Sequence, residues 1–307
     1  MTDGIINLLK PAGMTSHDAV SFLRRLTGEK HIGHTGTLDP MAVGVLPVCI
    51  GNATRIIEYL EFDRKCYRCE LQLGVETDTQ DVWGTVLQRR DAEARKVSRE
   101  QLEEVLNGFL GDLEQRPPKY SAVRVNGRHL YEYARSGQDV EIKPRRVKIY
   151  SMELKSFDPD AGTGVFDVCC SKGTYIRSLC RDAGEQLGCG AAMCFLARTQ
   201  SGVFSIEQTA SLEELKEDWT RYLLPSDLPL ERLGRIEIPE KRRGWYSNGG
   251  YLRKREAEVL REPKPADPAA VQKELYCVYS GGEFLGVSVY DPETSRFLAD
   301  KIFRKRG

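Results

Sequence analysis

The chain has 307 residues, 40% of them hydrophobic and 29% charged, with 45 basic side chains balancing 45 acidic ones. That composition excludes a disordered or fibrous chain and suits a globular protein of one large domain, or a large domain with a small companion. No apolar run is long enough to span a bilayer, and the start, MTDGIINLLKPAG, lacks the basic-then-apolar order of a signal peptide, so no membrane contact and a cytoplasmic location are expected.

In chain order, Gly4 to Leu9 reads as a short strand. Ser16 is placed to cap a helix to about Leu26, with Ala19, Val20, Leu23 and Leu26 near one face and Gly28 as its stop. A Gly-rich loop, His31 to Pro40, leads into an apolar strand at Gly44 to Ile50 and a helix from about Asn52 to Leu60. Strands are expected at about Lys65 to Gly74 and Trp83 to Gln88. Ser98 with Gln101 makes a capping box for a helix ending near Gly111. A short strand (Ser121 to Val125) and a short helix (His129 to Arg135) precede long strands at Val147 to Phe157 and Val165 to Ser171. A helix from Tyr175 to Leu187, a strand from Ala192 to Thr199 and a helix from Ser211 to Leu224 follow. Strand-to-strand links predict an α+β domain with a mixed, largely antiparallel sheet.

Pro225 to Gly234 reads as a linker. Beyond it, Leu275 to Tyr290 reads as a hairpin turning at Gly281-Gly282, with Pro263, Pro265 and Pro268 breaking the chain before it. The expected division is a domain over residues 1–230 and a small, mostly β domain over 231–307.

Nine scattered cysteines, several inside apolar patterns, read as buried free thiols of a reducing compartment. Cys66 and Cys69 have CxxC spacing, but residues three apart on a strand point to opposite faces, and no second pair follows, so no metal is expected. Charge is unevenly spread. Residues 116–150 hold nine Lys or Arg against three acids (+6), while 70–115 hold five against eleven (−6). Such a basic stretch is either a solvated loop or a nucleic-acid contact.

The loop HIGHTGTLDPMAVGVLP carries two histidines, a carboxylate and two small hydroxyls among three glycines. Asp39 precedes Pro40, which biases its backbone to an extended shape and would display the side chain stiffly. Taken alone, the segment is more often an Asp-Pro turn with glycines for tight geometry. No GxxxxGK[ST], strand-flanked GxGxxG, HExxH or GxSxG is present, which argues against a P-loop NTPase, a Rossmann dehydrogenase, a zincin and an α/β-hydrolase.

GHTGTLDPMAVGVLP (Gly33 to Pro47) resembles the signature loop of the TruB family of pseudouridine synthases. KPAGMTS (Lys10 to Ser16), YRCELQLGVETDTQDVWG (Tyr67 to Gly84), PPKYSAVRVNGRHLYEYARSG (Pro117 to Gly137), SKGTYIRSLCRDAGEQLGCGA (Ser171 to Ala191) and FLARTQSGVF (Phe195 to Phe204) resemble further family motifs, in order and correctly spaced over roughly the first 210 residues. By position the C-terminal region corresponds to the family's small PUA-like domain.

The resemblance implies isomerisation of uridine to pseudouridine at position 55 in the T loop of tRNA, without cofactor. Asp39 falls on the family's nucleophile, Arg177 on its guanidinium partner, and Tyr67 on a tyrosine that stacks on the target base and is proposed to assist proton removal from C5. Tyr175 and Leu196 match positions lining the uridine pocket, His34 the histidine that fills space vacated in the T loop, and Arg55 a basic position suited to a phosphate. The segment 116–148, with Arg124, Arg128, Arg135, Arg145 and Arg146, matches an RNA-contacting insertion that would close on the T arm as a flap. Lys301, Arg304, Lys305 and Arg306 are candidates for contacts toward the acceptor end. A monomer with tRNA as partner is expected. Attack on the base, attack on the sugar and removal of a sugar proton all stay open for Asp39. Competing readings are a non-catalytic RNA-binding or tRNA-folding protein on the same scaffold, which would not require the reacting groups, and a hydrolase using Asp39 as a base.

Overall fold

The computed structural model describes residues 2–60, 64–264 and 273–303. Strand β1 (Gly4–Lys10) opens the chain and α1 (Ser16–Thr27) follows. Thr15, not Ser16, caps α1: its hydroxyl accepts from the Asp18 amide while Asp18 bonds back. Ser16 lies inside the helix, buried, and exchanges hydrogen bonds with the backbone of Leu38. Ala19, Val20 and Leu23 form the buried face, and Gly28 (φ 72°) ends the helix. After β2 (Ile32–His34) and β3 (Val43–Ile50), the expected helix is a 3-10 segment, Gly51–Ile56, followed by a single turn, α2 (Ile57–Leu60).

Strand β4 (Lys65–Leu73) is central and alternates, with Tyr67, Cys69, Leu71 and Leu73 facing the core. A small ribbon of β5 (Val75–Thr77) and β6 (Val86–Arg89) follows; Trp83 lies in its turn rather than in the strand. Helix α3 (Asp91–Ala94) precedes α4 (Arg99–Asn107), where the Ser98–Gln101 capping box forms as expected. The α4 helix stops four residues short of Gly111, whose positive φ of 93° begins β7 (Gly111–Gln115) instead.

In the basic insertion, β8 (Arg124–Val125) and β9 (Arg128–His129) make a hairpin ahead of α5 (Leu130–Arg135); Ser121 to Val123 are not strand. The long pair β10 (Arg145–Asp158) and β11 (Thr163–Cys170) leads to α6 (Ile176–Gln186), β12 (Ala191–Ser201) and the short β13 (Phe204–Ser205). The expected helix over 211–224 divides. After α7 (Leu212–Asp218), the Asp218 side chain caps a 3-10 turn, and the chain joins the sheet edge as β14 (Leu223–Leu224). The main sheet has the order β14-β1-β3-β12-β4-β11-β10-β7, with β13 on β12 and β2 on β3, and its only parallel pair among the described residues is β3 with β12. This is the mixed, largely antiparallel α+β architecture expected.

The 225–234 segment is a packed connector: Pro229, Leu230 and Leu233 are buried there. A second sheet comprises β15 (Gly234–Glu237), β16 (Leu252–Arg253), β17 (Glu258–Arg261), β18 (Leu275–Ser280), β19 (Glu283–Asp291) and β20 (Arg296–Ile302), with α8 (Glu240–Ser247) after β15. The β18–β19 hairpin turns at Gly281-Gly282. Pro265, Pro268, Arg304, Lys305 and Arg306 lie outside the described residues. Among the described residues, no helix is long and apolar enough to cross a membrane.

The expectation of uniformly free thiols is corrected. Cys66 on β4 faces Cys169 on β11 across the ladder, and the two form a disulfide. Cys69, on the opposite face of β4, is a free buried thiol 3.6 Å from Cys180.

Candidate active site

Four segments converge beside the parallel β3–β12 seam: the loop before β3, the face of β4, the N-terminus of α6 and the middle of β12. With Ser121 of the insertion and Arg145 at the start of β10, they bound a cavity of about 330 Å³ whose lining includes Asp39, Lys65, Tyr67, Tyr175, Arg177 and Leu196.

Asp39 meets Arg177 at the centre. Arg177 Nη2 donates to Asp39 Oδ1 at 3.1 Å, and Nε lies 2.9 Å from Oδ2 as an ion contact, at an angle too poor for a second hydrogen bond. The arginine is 5% exposed, the aspartate side chain 37%. The cation is thus buried while the carboxylate keeps one side open to the cavity. Arg177 Nη1 also donates to the Thr79 carbonyl and Nη2 to the Tyr120 carbonyl, both at 3.0 Å. These extra acceptors aim the guanidinium and offset the cost of burying it. Gln80 holds a positive φ of 65°, unusual for a residue with a side chain, directly after the carbonyl that Arg177 uses.

A second carboxylate, Asp81, stands 3.7 Å from Arg177 Nη1, anchored by Thr79 Oγ1 and the Trp83 amide. Burial raises its pKa from the ordinary carboxylate value, although the Thr79 hydrogen bond and Arg177 oppose this. Tyr67 is buried on β4, which pushes its phenol up to about 12, so it is protonated at neutral pH. Tyr175, whose phenol is also raised by burial, is fixed ahead of α6 by Gln115: the Tyr175 amide donates to Gln115 Oε1 at 2.7 Å and Gln115 Nε2 donates to the Tyr175 carbonyl at 3.0 Å.

Lys10 supports the loop from behind. It is fully buried at the end of β1, and its Nζ donates to the carbonyls of Pro11, Met14 and Pro40, the last adjacent to Asp39. Burial lowers its pKa to about 8, against the attraction of Asp39. Arg198 is likewise buried, donating from Nε to Val45 O at 2.7 Å and from Nη2 to Gly36 O at 3.1 Å. The sequence motifs mark no role for Lys10, Lys65, Asp81 or Arg198. For Lys10 and Arg198 a signal existed: each is a lone cation in an otherwise apolar strand pattern.

Of the residues expected at the site, Asp39, Tyr67, Tyr175, Arg177, Leu196 and Arg145 all line the cavity. His34 on β2 does not. Its Nδ1 is buried without a hydrogen-bond partner, and burial lowers its pKa. Arg55 is also elsewhere: its Nη1 donates to the Ile302 carbonyl of the second sheet at 2.8 Å. It sits on the 3-10 segment facing that sheet, which helical spacing could not reveal. Arg124, Arg128, Arg135 and Arg146 are exposed on or beside the insertion, with Arg128 over the Tyr133 ring (4.6 Å) and Arg135 over Tyr131 (5.5 Å). Lys301 pairs with Glu58 at 2.6 Å, which ties it to the main domain.

The sequence matches the TruB family pseudouridylate synthase N-terminal domain over residues 24–176 and the tRNA pseudouridylate synthase B C-terminal domain over 177–233. It is 41% identical over 305 residues to tRNA pseudouridine synthase B of Alkaliphilus oremlandii (98% of each chain). It is 50% identical over 237 residues to the protein of that name from Symbiobacterium thermophilum (77% of this chain, 78% of the other). Among solved structures, its fold is similar to a chain of an H/ACA RNP bound to a substrate RNA containing 2'-deoxyuridine (TM-score 0.73, 24% identity, 99% of this chain and 86% of that one). A chain of a Cbf5-Nop10-Gar1 complex is equally close in fold (TM-score 0.72, 25% identity, 98% and 84%). With its motifs in order and relatives matched end to end, the chain belongs to the TruB family of pseudouridine synthases and is an isomerase.

Proposed function

We propose that the protein isomerises uridine to pseudouridine at position 55 in the T loop of tRNA, with Asp39 as the nucleophile acting on an extruded base. The observation that carries this reading is the Asp39–Arg177 contact at 2.9–3.1 Å on the wall of a cavity that also holds the Tyr67 ring. A cavity of about 330 Å³ is near the small end of ligand pockets and suits one nucleoside rather than a stacked strand. The target must therefore leave its stack, at a cost of a few kcal/mol that aromatic and phosphate contacts offset.

The reaction breaks the bond from C1' to N1 and forms one from C1' to C5; the bond Asp39 makes to the nucleoside is broken again before release, C5 loses a proton and N1 gains one, so atoms balance without cofactor. Arg177 keeps a cation against Asp39 and aims its carboxylate at the cavity, as a positioned nucleophile requires. Tyr67, neutral at working pH, supplies part of the cavity wall. The exposed arginines of the insertion supply phosphate contacts that read shape and position.

The test uses tRNA tritiated at uracil C5. Isomerisation releases tritium and leaves the RNA intact; binding alone releases none, and hydrolysis changes the RNA's mass. Asp39→Ala is expected to abolish release while tRNA binding persists. Normal turnover by that variant would remove Asp39 from the chemistry.

A further inference from the structure

We infer that Arg198 is a positioning residue of the active site, clamping both ends of the loop that carries Asp39 and holding it against Tyr67. This rests on the roles proposed above for Asp39 and Tyr67.

Arg198 is 0% exposed and is the largest fully buried side chain among the described residues. Burying a guanidinium is costly unless its donors are matched. Its described partners are not carboxylates. They are the carbonyls of Gly36 and Val45, and the charge of the guanidinium is felt at the Tyr67 phenol. Gly36 precedes Asp39 by three residues and Val45 follows it by six, so one planar group ties the two ends of the loop together. The main chain of Arg198 makes the same connection. It pairs with Gly44 on β3 and with Tyr67 on β4. Gly44 has φ +106°, and a Cβ there would fall 2.2 Å from the Arg198 carbonyl oxygen. Loop, seam and Tyr67 strand are thus referenced to a single residue.

The chemistry calls for a guanidinium. Acceptors lie in different directions, and the fork of an arginine reaches them simultaneously, whereas the ammonium of a lysine is a point charge on a flexible stem. The same cation opposes the upward push of burial on the Tyr67 phenol. Nη1 is buried with no aligned acceptor, so Nε and Nη2 are the donors that hold the loop.

The experiment compares full-length wild type, Arg198→Lys, Arg198→Gln, Tyr67→Phe and the Arg198→Lys/Tyr67→Phe double variant, at a temperature below every melting midpoint. Tritium release from C5-labelled tRNA gives kcat and KM. Arg198→Lys is expected to lower kcat by about 100-fold, the scale of a misplaced reacting group, with KM within about threefold. Added to Tyr67→Phe, it should cost much less than it does alone, because the two act as a unit. A normal kcat in either folded Arg198 variant would overturn the assignment, as would losses that multiply with those of Tyr67→Phe, or a change confined to melting temperature or KM. Should wild type release no tritium, or Asp39→Ala turn over normally, the proposed function fails instead, so the two failures are separable.

Discussion

Lys10 and Arg177 are both cations enclosed by protein, but they differ in what they hold. Arg177 touches the Asp39 carboxylate; Lys10 touches only carbonyls, one of them Pro40 O beside Asp39. Lys10 has its pKa lowered by burial to about 8, with Asp39 and Asp18 pulling it up and Arg198 pushing it down. Its folded value therefore lies below its unfolded value of 10.5, so its contribution to stability is smallest below pH 8 and grows from about pH 8 toward 10.5. Turnover is expected to move the other way. As pH rises through about 8 the amine loses a donor and the loop loosens, so kcat should fall without unfolding. A kcat–pH profile checks this: in Lys10→Arg the alkaline limb should move upward, and an unmoved limb would assign it to another group. For Arg177→Lys, replacing the fork by a point charge should reduce kcat by roughly 10²-fold or more with modest change in tRNA affinity, measured by tritium release and filter binding.

Strand β4 shows how one element serves two surfaces. Its two-residue period sends Tyr67 into the cavity and Cys66 to the other side, where the facing strand supplies Cys169. The bridge spans a sequence separation of 103 residues. Closing so long a loop is expected to stabilise the fold by about 2–5 kcal/mol. Reductant should lower the thermal midpoint of wild type, Cys66→Ser should lie lower from the start and ignore reductant, and kcat should be unchanged in both. A reductant-insensitive wild-type melt would remove the bridge's contribution. At α4, Ser98→Ala deletes half of a formed capping box and should cost about 1 kcal/mol in denaturant unfolding, again without effect on turnover.

The two sheets are not beads on a linker. Ile5, Val45 and Cys49 of the first, with Ala53 and Ile56 of the adjoining 3-10 segment, share one apolar cluster with Cys277, Tyr279 and Val287 of the second. Tyr59 Oη donates to Asp300 at 2.5 Å, Arg55 to Ile302 O and Lys301 to Glu58 across the same junction. Val45 also accepts from Arg198, so the junction is one strand away from the loop of Asp39. A chain cut after residue 230 would expose this cluster and is expected to aggregate or melt well below the full-length protein, read by light scattering and calorimetry. The insertion lies on the cavity side. Replacing Arg124, Arg128 and Arg135 by Ala should raise KM for tRNA and flatten its salt dependence by about 0.7–0.9 per lost phosphate contact, leaving kcat near wild type. An unchanged salt slope would place the RNA elsewhere.

Local pattern was enough for much of this. Periodicity located most strands and helices, the Ser98–Gln101 box and the Gly281-Gly282 hairpin, because caps, turns and alternating faces depend on neighbours within a few residues. The motif order gathered Asp39, Tyr67, Tyr175, Arg177 and Leu196, which the structure places around one cavity. What local pattern did not carry was pairing across long separations. Arg55 turned toward Ile302, Cys66 found Cys169, and Arg198 reached back to Gly36. The expected helices at Asn52 and Ser211 were cut short where tertiary packing and sheet pairing outweighed intrinsic propensity. Strand register and domain docking set these outcomes, and both are decided by which distant surfaces bury each other best, a quantity no short window of sequence contains.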